Sequence, residues 1–335
     1  MLQAQECGCT DKGAKNFNEK AVVNDGSCEY KPVTLQPNKS FVLEELLHET
    51  SGLTYNKGKI WTHNDDKDSA IYGFNLVQLE QSEKVVLKHD EKINLTKVVD
   101  WEALAQDSLY WYVGDFGNNY RGNRKPLFIK KISKDSTQIA PQSIAFTYED
   151  QLNFDKQLPN KTNFDCEAFI VKGDSLYLFT KQWEQKQTTV YSLPNVDGTH
   201  VAKKGKTFDV GGLVTDATYV EDKNILVFSG YSETLSPFIY VFYDFKGVDF
   251  FGGNKRKFKL GLNFHQVEGI TTLDGLTYYL TNEKVRHLGG LIDVKPKLHV
   301  VDLSPYLKDY MRIFETDLDT FKPEIIEEEV ELNTP

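Results

Sequence analysis

The sequence predicts an all-β fold built from five repeated units, on three observations. The 17 Tyr and 21 Phe far outnumber the 2 Met, a composition that suits pleated surfaces better than helix interfaces. From residue 41 onward one pattern recurs five times: a β-rich run, acidic residues, a small residue, an apolar residue, a turn and an aromatic strand. The recurrences are spaced by roughly 50 residues, enough for four short strands each.

Residues 1–32 read as a leader. "LQAQ" has the small-residue end of a secretory signal, and three of the four cysteines, Cys7, Cys9 and Cys28, crowd into this polar stretch while Cys166 stands alone. Such a segment has too few apolar residues to fold by burial and needs staples, so a secreted protein is expected, periplasmic, extracellular or at the cell surface. "CGCTDKGAKNFNEKAVVNDGSC" resembles the GCTD…DGSC modules of secreted Bacteroidota proteins. The resemblance implies a Cys9–Cys28 disulfide; Lys15 stands where such modules often carry another cysteine, and the pairing of Cys7 and Cys166 stays open. Asp11, Asn16, Asn18 and Asp25 are either calcium ligands or solvated turn residues.

The five copies begin "FVLEELLHETSG", "INLTKVVDWEAL", "NKTNFDCEAF", "TFDVGGLVTDAT" and "FKLGLNFHQVEG". Aligned on the residue beside the small one, their anchors are Ser51, Glu102, Glu167, Asp216 and Glu268, separated by 51, 65, 49 and 52 residues. Strand-only repeats of this period predict a β-propeller, here five-bladed and spanning 33–312. Residues 41–46 precede the first complete unit and are expected to complete the last blade beside "KLHVVDL". The acidic segment 313–335 is expected to add an edge strand or to fray.

The first strand of a propeller blade lines the central channel, and side chains two apart share a face. Asp100 with Glu102, Asp165 with Glu167, Glu49 with Ser51 and Gln266 with Glu268 therefore form an acidic collar, which like-charge repulsion makes costly without a cation or shared protons. An all-oxygen donor set with no His or Cys at the anchors favours Ca2+, catalytic or merely locking the blades together.

These anchors resemble the calcium-activated nucleotidase (apyrase) family, five-bladed propellers that hold one Ca2+ through Ser, Glu, Glu, Ser and Glu. "KIWTHNDDKDSAIY" and "YVGDFGNNY" are similar to that family's "LYSVDDRTGVVY" and "YVGGLGKEW". Asp216 departs from the family's Ser, and "FTKQWEQKQ" lacks its paired arginines. The likeness covers about a fifth of the chain. It implies Ca2+-assisted hydrolysis of a phosphorylated, nucleotide-like small molecule. The alternatives are a lactonase or esterase using the same ion, and a non-catalytic extracellular module with a structural Ca2+.

Strand ends after each inner hairpin would supply the rest of the site. Asp65 and Asp115 are the candidates for positioning or deprotonating water. His63, Asn64, Asn118, Arg121, Lys181, Tyr231 and Glu283 are the candidates for holding a small anionic substrate, with Arg124 and Asn282 beside them. Their plainer readings are turn formation, local hydrogen bonding and solvated strand ends, and Trp61, Trp101 and Trp111 read as packing between blades.

The formal charge of -10 argues against a phosphate-gripping nucleic-acid binder, and no apolar run is long enough to span a bilayer. "KKGKT" lacks the upstream glycine of a phosphate-binding loop, and "HETSG" lacks the second His of a zinc-protease helix. A cell-surface or protein partner stays open.

Overall fold

The structure, a computed structural model, describes residues 5–65, 68–76, 87–95, 99–135 and 140–319. The first four residues of the leader and most of the acidic C-terminal segment lie outside them. The leader contributes β1 (Cys7–Gly8) and β2 (Val23–Asn24), followed by β3 (Val33–Leu35) and β4 (Lys39–Val42). Then come β5 (Thr50–Asn56), β6 (Lys59–Asn64), β7 (Ala70–Asn75) and β8 (Glu91–Asn94); β9 (Trp101–Gln106), β10 (Tyr110–Asp115), β11 (Leu127–Ser133) and β12 (Gln142–Tyr148); and β13 (Asp165–Lys172), β14 (Ser175–Lys181), β15 (Thr188–Pro194) and β16 (Gly198–Phe208). The chain continues through β17 (Leu213–Val220), β18 (Ile225–Tyr231), β19 (Pro237–Tyr243) and β20 (Asn254–Leu260). It ends with β21 (Val267–Thr272), β22 (Thr277–Asn282), β23 (Val285–His287), β24 (Ile292–Val294), β25 (Lys297–Asp302) and the helix α1 (Ser304–Asp319).

The fold is all-β, and consecutive strands pair antiparallel in sets of four. The last set is β21, β22, β25 and β4, with Phe41 opposite Leu298, so a strand from near the N-terminus completes a sheet built by the C-terminal part. The first strands β5, β9, β13, β17 and β21 each pack beside the next, and β21 packs beside β5. A cavity of about 160 Å3 lies between them, lined by residues of all five, including Thr54, Gln106, Phe169, Thr218 and Thr271. The sets are not isolated from one another. β12 runs parallel to β16 and β3 parallel to β20.

Aromatic wedges fill the space between sets. Trp61 and Trp111 approach to 5.2 Å, within a buried cluster that also holds Ile71, Trp101 and Ile132 from the first two sets. Phe179 of β14 meets Phe228 of β18 at 4.7 Å. Truncating such a ring costs about 3–5 kcal/mol.

The chain after β25 is helical, and α1 runs from the end of the expected propeller into the first seven residues of the segment 313–335, for which an edge strand or fraying was expected; residues 320–335 lie outside the described residues. Pro305 is pre-set for a first helical turn, and Tyr306, Leu307, Tyr310 and Met311 repeat at three- and four-residue spacing, so one face of α1 packs on the cluster around Phe258, Leu280 and Val301.

The leader is stapled by Cys9–Cys28, while Cys7 and Cys166 are free thiols, exposed and buried respectively. Asp11 accepts from the hydroxyls of Tyr30 and Tyr243 and from the Gly13 amide. Asn16, Asn18 and Asp25 accept from the nearby amides of Glu29, Lys20 and Ser27. These bonds make turns and dock the leader on the β17–β20 set. Arg256 is stacked between Tyr30 and Tyr306, 4.6 Å from each ring.

His299 ties three strands. Its Nε2–H donates to Asn282 Oδ1 at 2.8 Å, and its Nδ1 accepts from the Ser40 hydroxyl at 2.7 Å. Burial, with His265 and Lys297 nearby, lowers its pKa to about 3. A folded-state pKa below the unfolded value of 6.5 gives stability that is full above pH 6.5 and lost as pH falls. The prediction is that His299→Gln removes about 2–3 kcal/mol of the stability lost between pH 6.5 and 4.5. Urea denaturation across that range checks it; equal slopes in both proteins would contradict the buried neutral imidazole.

Candidate metal centre

Each first strand carries a register shift against its partner at the same level. The shifts fall between Ser51 and Leu53, Trp101 and Ala103, Cys166 and Ala168, Val214 and Asp216, and Val267 and Gly269. The extra residues are therefore Gly52, Glu102, Glu167, Thr215 and Glu268. A bulge re-aims its side chain away from the ladder, so Glu102, Glu167 and Glu268 occupy equivalent places on three of the five walls. Gly52 sits at φ +62°, where a Cβ would lie 2.5 Å from the Leu104 amide nitrogen, so only glycine fits there.

Ser51 and Asp216, anchors in the sequence alignment, fall one residue to either side of the bulge. Ser51 Oγ donates to the Glu102 carbonyl at 2.8 Å. Asp216 accepts from the amides of Leu53 at 3.0 Å, Ile270 at 2.8 Å and Ala217 at 2.8 Å, which fastens β5, β17 and β21 together. Thr215, at the bulge, donates to the Val267 carbonyl. Both predicted ligands are thus committed to backbone groups.

The remaining carboxylates form two groups at one end of the channel. Oxygens of Glu102, Asp165 and Glu167 lie within 4.8 Å of one another, and so do oxygens of Glu49, Asp65 and Glu283. Two like charges at that distance repel by roughly 3 kcal/mol at an effective dielectric constant of about 20. Burial raises the pKa of Glu102 well above the usual carboxylate range, and Glu167, Asp100 and Asp165 add to the rise. Burial likewise pushes Glu167 up to about 7 against the pull of Lys181. Asp100 is raised by burial to about 6, opposed by Arg124.

Lys181 is the cation among them. Its Nζ is 3.1 Å from Glu167 Oε1, both side chains are buried, and the rings of Trp183 and Tyr231 lie 4.8 and 5.3 Å away. Burial would depress this ammonium, but Glu167, Glu268, Tyr231 and Asp165 hold its pKa well above the usual value. One ammonium, paired with Glu167, does not balance Glu102, Asp165 and Glu268 as well. The donor set is entirely oxygen, and one oxygen of Glu268, Oε2, is buried with no hydrogen-bond partner. Both features fit a hard divalent cation among these carboxylates, of which Glu102, Asp165 and Glu167 converge. Asp165 serves more as a brace, accepting from the Asn118 amide and the Trp183 indole at 2.7 Å each.

The other predicted residues divide. Lys181, Tyr231 and Glu283 stand with the carboxylates, and Asp65 is in the outer group. Asp115 is buried and occupied by Arg124 at 2.7 Å and by the amides of Val99 and Asp100. Asn118 shapes its own loop through Phe164 and Arg124. His63 is fully buried, edge-on to Trp101 at 5.5 Å, and Asn64 donates to the Leu46 carbonyl. Arg121 stacks on the exposed ring of Tyr120. Sequence reasoning did not single out Trp183 or Gly117. A Cβ on Gly117 would lie 2.0 Å from Glu102 Oε1 and 2.4 Å from Asp100 Oδ2, so this glycine makes room for the carboxylates.

No protein-family model and no curated protein sequence matches the chain. Among solved structures it is similar to an exo-β-1,3-galactanase from Clostridium thermocellum, at 12% identity and TM-score 0.47, over 78% of this chain and 61% of that one. An exo-β-1,3-galactanase from Phanerochaete chrysosporium gives 7% and 0.45, over 79% and 63%. Hsv2 from Kluyveromyces lactis gives 13% and 0.34, over 82% and 68%. Likeness at this level bears on neither activity nor ligand, and the site is read from its own residues.

Asp216→Ala is expected to destabilise the protein by about 3 kcal/mol or more, because three buried amides lose a charged acceptor, while leaving divalent-cation binding at the neighbouring carboxylates unchanged. Denaturant melts beside Ca2+ titration check this; a lost ion would restore Asp216 to the ligand set.

Proposed function

We propose that residues 33–312 form a five-bladed β-propeller, preceded by the stapled leader, in a secreted protein that binds Ca2+ at the acidic mouth and hydrolyses a phosphorylated, nucleotide-like small molecule there. The observation that carries the reading is the placing of Glu102, Glu167 and Glu268 at equivalent bulges, with Glu102 and Glu167 in one carboxylate group and Glu167 paired with a buried Lys181. The blade count is supported by the five neighbouring first strands and by the closure of β4 on β25.

In this reading a bound Ca2+ supplies Lewis-acid polarisation of an anionic oxygen. Lys181 contributes a fixed positive charge in a water-poor setting, where it acts more strongly than in bulk solvent. Asp65 stands at the open side, placed to orient water, whereas the buried Asp115 has its oxygens engaged. Burial raises the pKa of Glu268, while Lys181, Tyr231 and Gln266 work against the rise, and Gly117 keeps the wall beside Glu102 low.

One observation favours a second reading. Lys181 already pairs with Glu167 at 3.1 Å, a charge balance that also suits a non-catalytic module in which the ion only stiffens the mouth. Under that reading Ca2+ raises the melting temperature and no substrate turns over.

The catalytic reading predicts phosphate release from nucleoside diphosphates that requires Ca2+, stops with chelator and falls at least about 100-fold in Glu167→Gln. Ca2+ at about 100 times its dissociation constant should also stabilise the fold by about 2.7 kcal/mol. Turnover of lactones alone would replace the nucleotidase assignment with a lactonase.

A further inference from the structure

Strand β20, "NKRKFKL", places four cations in a chain of net charge -10. Among the described residues none of the four forms an ion pair. Two of them dock the leader: Lys255 donates to the Gly26 carbonyl at 2.9 Å, and Arg256 is held between Tyr30 and Tyr306. Lys257 and Lys259, two apart and so on one face of the strand, have no such task. The contrast is with β16, where Lys203, Lys204 and Lys206 meet Glu149, Asp150 and Asp249 at 3.0, 2.6 and 2.7 Å.

That face borders a cavity of about 470 Å3 that no acidic residue lines. Its walls are Gly211 before β17, the turn 232–236 between β18 and β19, and residues 261–263 between β20 and β21. These connections lie at one end of the strands, and Ser232 directly follows Tyr231, so the cavity opens at the same end as the carboxylates. Lys259 is exposed and stands between Phe238 and Thr34 in register. Lys257 is half-buried, with its Nζ 4.0 Å over the Phe238 ring and donating to the carbonyls of Val210 at 2.6 Å and Gly211 at 3.2 Å. Two carbonyls orient the ammonium without neutralising it, and its third N–H is left over. Burial lowers the pKa of Lys257, Asp209 works against the fall and Lys259 adds to it. The nearby carboxylates are engaged elsewhere, Asp209 with the Gly211 amide at 3.0 Å and Glu233 with Lys186 at 2.9 Å. In the turn, Thr234 Oγ1 lies 2.9 Å from Ser232 Oγ and 3.2 Å from Ser236 Oγ. A chain of three hydroxyls leaves one O–H free to donate outward.

We propose that this cavity binds the phosphate group of a small phosphorylated ligand without a metal, through Lys257, Lys259 and a hydroxyl of the turn 232–236. A tetrahedral dianion answers two positive charges and accepts from ammonium and hydroxyl donors together, whereas a carboxylate answers only one of the charges. The volume exceeds what a phosphate needs and leaves room for a ring-sized body against Pro237 and Leu262. The cavity differs in kind from the acidic mouth, which repels an anion until a cation is bound. Its ligand is therefore held with the mouth empty, which goes beyond the hydrolase reading.

The test is isothermal titration of the full chain in chelator at low ionic strength, with ribose 5-phosphate, inorganic phosphate and ribose as probes. Both phosphates are expected to bind and ribose is not. Tighter binding of ribose 5-phosphate assigns the cavity to a phosphate ester, and equal binding to free phosphate. Lys257→Met and Lys259→Met should each weaken binding by about tenfold or more. Lys259 is exposed, so its variant carries the test if Lys257→Met does not fold. Lys203→Met/Lys206→Met on β16 should bind as the unaltered protein does. The proposal is overturned if neither phosphate binds in chelator, if Lys259→Met leaves binding unchanged, or if the β16 variant loses binding to the same extent. Chelator removes the ion that the hydrolase reading needs, so the two fail separately.

Discussion

Three glutamates cannot be brought together in a narrow, water-poor space by hydrophobic burial; something in the backbone has to aim them. Here the bulge does so. One extra residue at the same level of each first strand breaks the ladder between Trp101 and Ala103, between Cys166 and Ala168, and between Val267 and Gly269. The strand stays paired on either side, so the glutamate at the break is held by rigid sheet rather than by a loop. Rigid placement of charge is what a metal or an anion needs, because little reorganisation is left for the moment of binding.

That placement is costly, and the surrounding structure offsets the cost with fixed polar bonds. Asp216 joins three strands through backbone amides, Ser51 holds the strand carrying Glu102, and Trp183 with the Asn118 amide braces Asp165. Arg124 offsets the neighbouring pair Asp100 and Asp115. Behind these bonds the wedges of Trp61, Trp111, Phe179 and Phe228 keep the strands from spreading apart under the repulsion. Charge at the mouth and aromatic burial behind it are coupled.

Much of this is legible in the sequence, and the misses have physical causes. Glu102, Glu167 and Glu268 stand out because an acidic residue before Ala or Gly in an otherwise apolar strand needs a reason. Ser51 and Asp216 were aligned with them by residue chemistry, since polarity repeats along the chain more visibly than register does. A bulge inserts one residue without any fixed composition, so an alignment of polar residues can slip by one. In the fourth copy Thr215 holds the bulge and Asp216 turns to the backbone. Trp183 was invisible for a different reason, since its partner Asp165 is adjacent only once β13 and β14 have paired. The helix α1 was readable in the spacing of Tyr306, Leu307, Tyr310 and Met311, but an all-β expectation hid it.

The unpaired polar atoms at this end of the channel give the last constraint. His63 Nε2, Asn64 Oδ1 and Glu268 Oε2 are all buried without partners, and each such atom costs about 1–3 kcal/mol. A sheet protein selected only for stability would fill these places with apolar side chains, as Ile60 and Ile270 do deeper along the same strands. The polar atoms sit instead where first and second strands end, next to carboxylates that repel one another. These three gather at the end of the channel that carries the acidic groups, the end where the proposed function puts its ligand, and not beside the cavity lined by Thr54, Phe169 and Thr218.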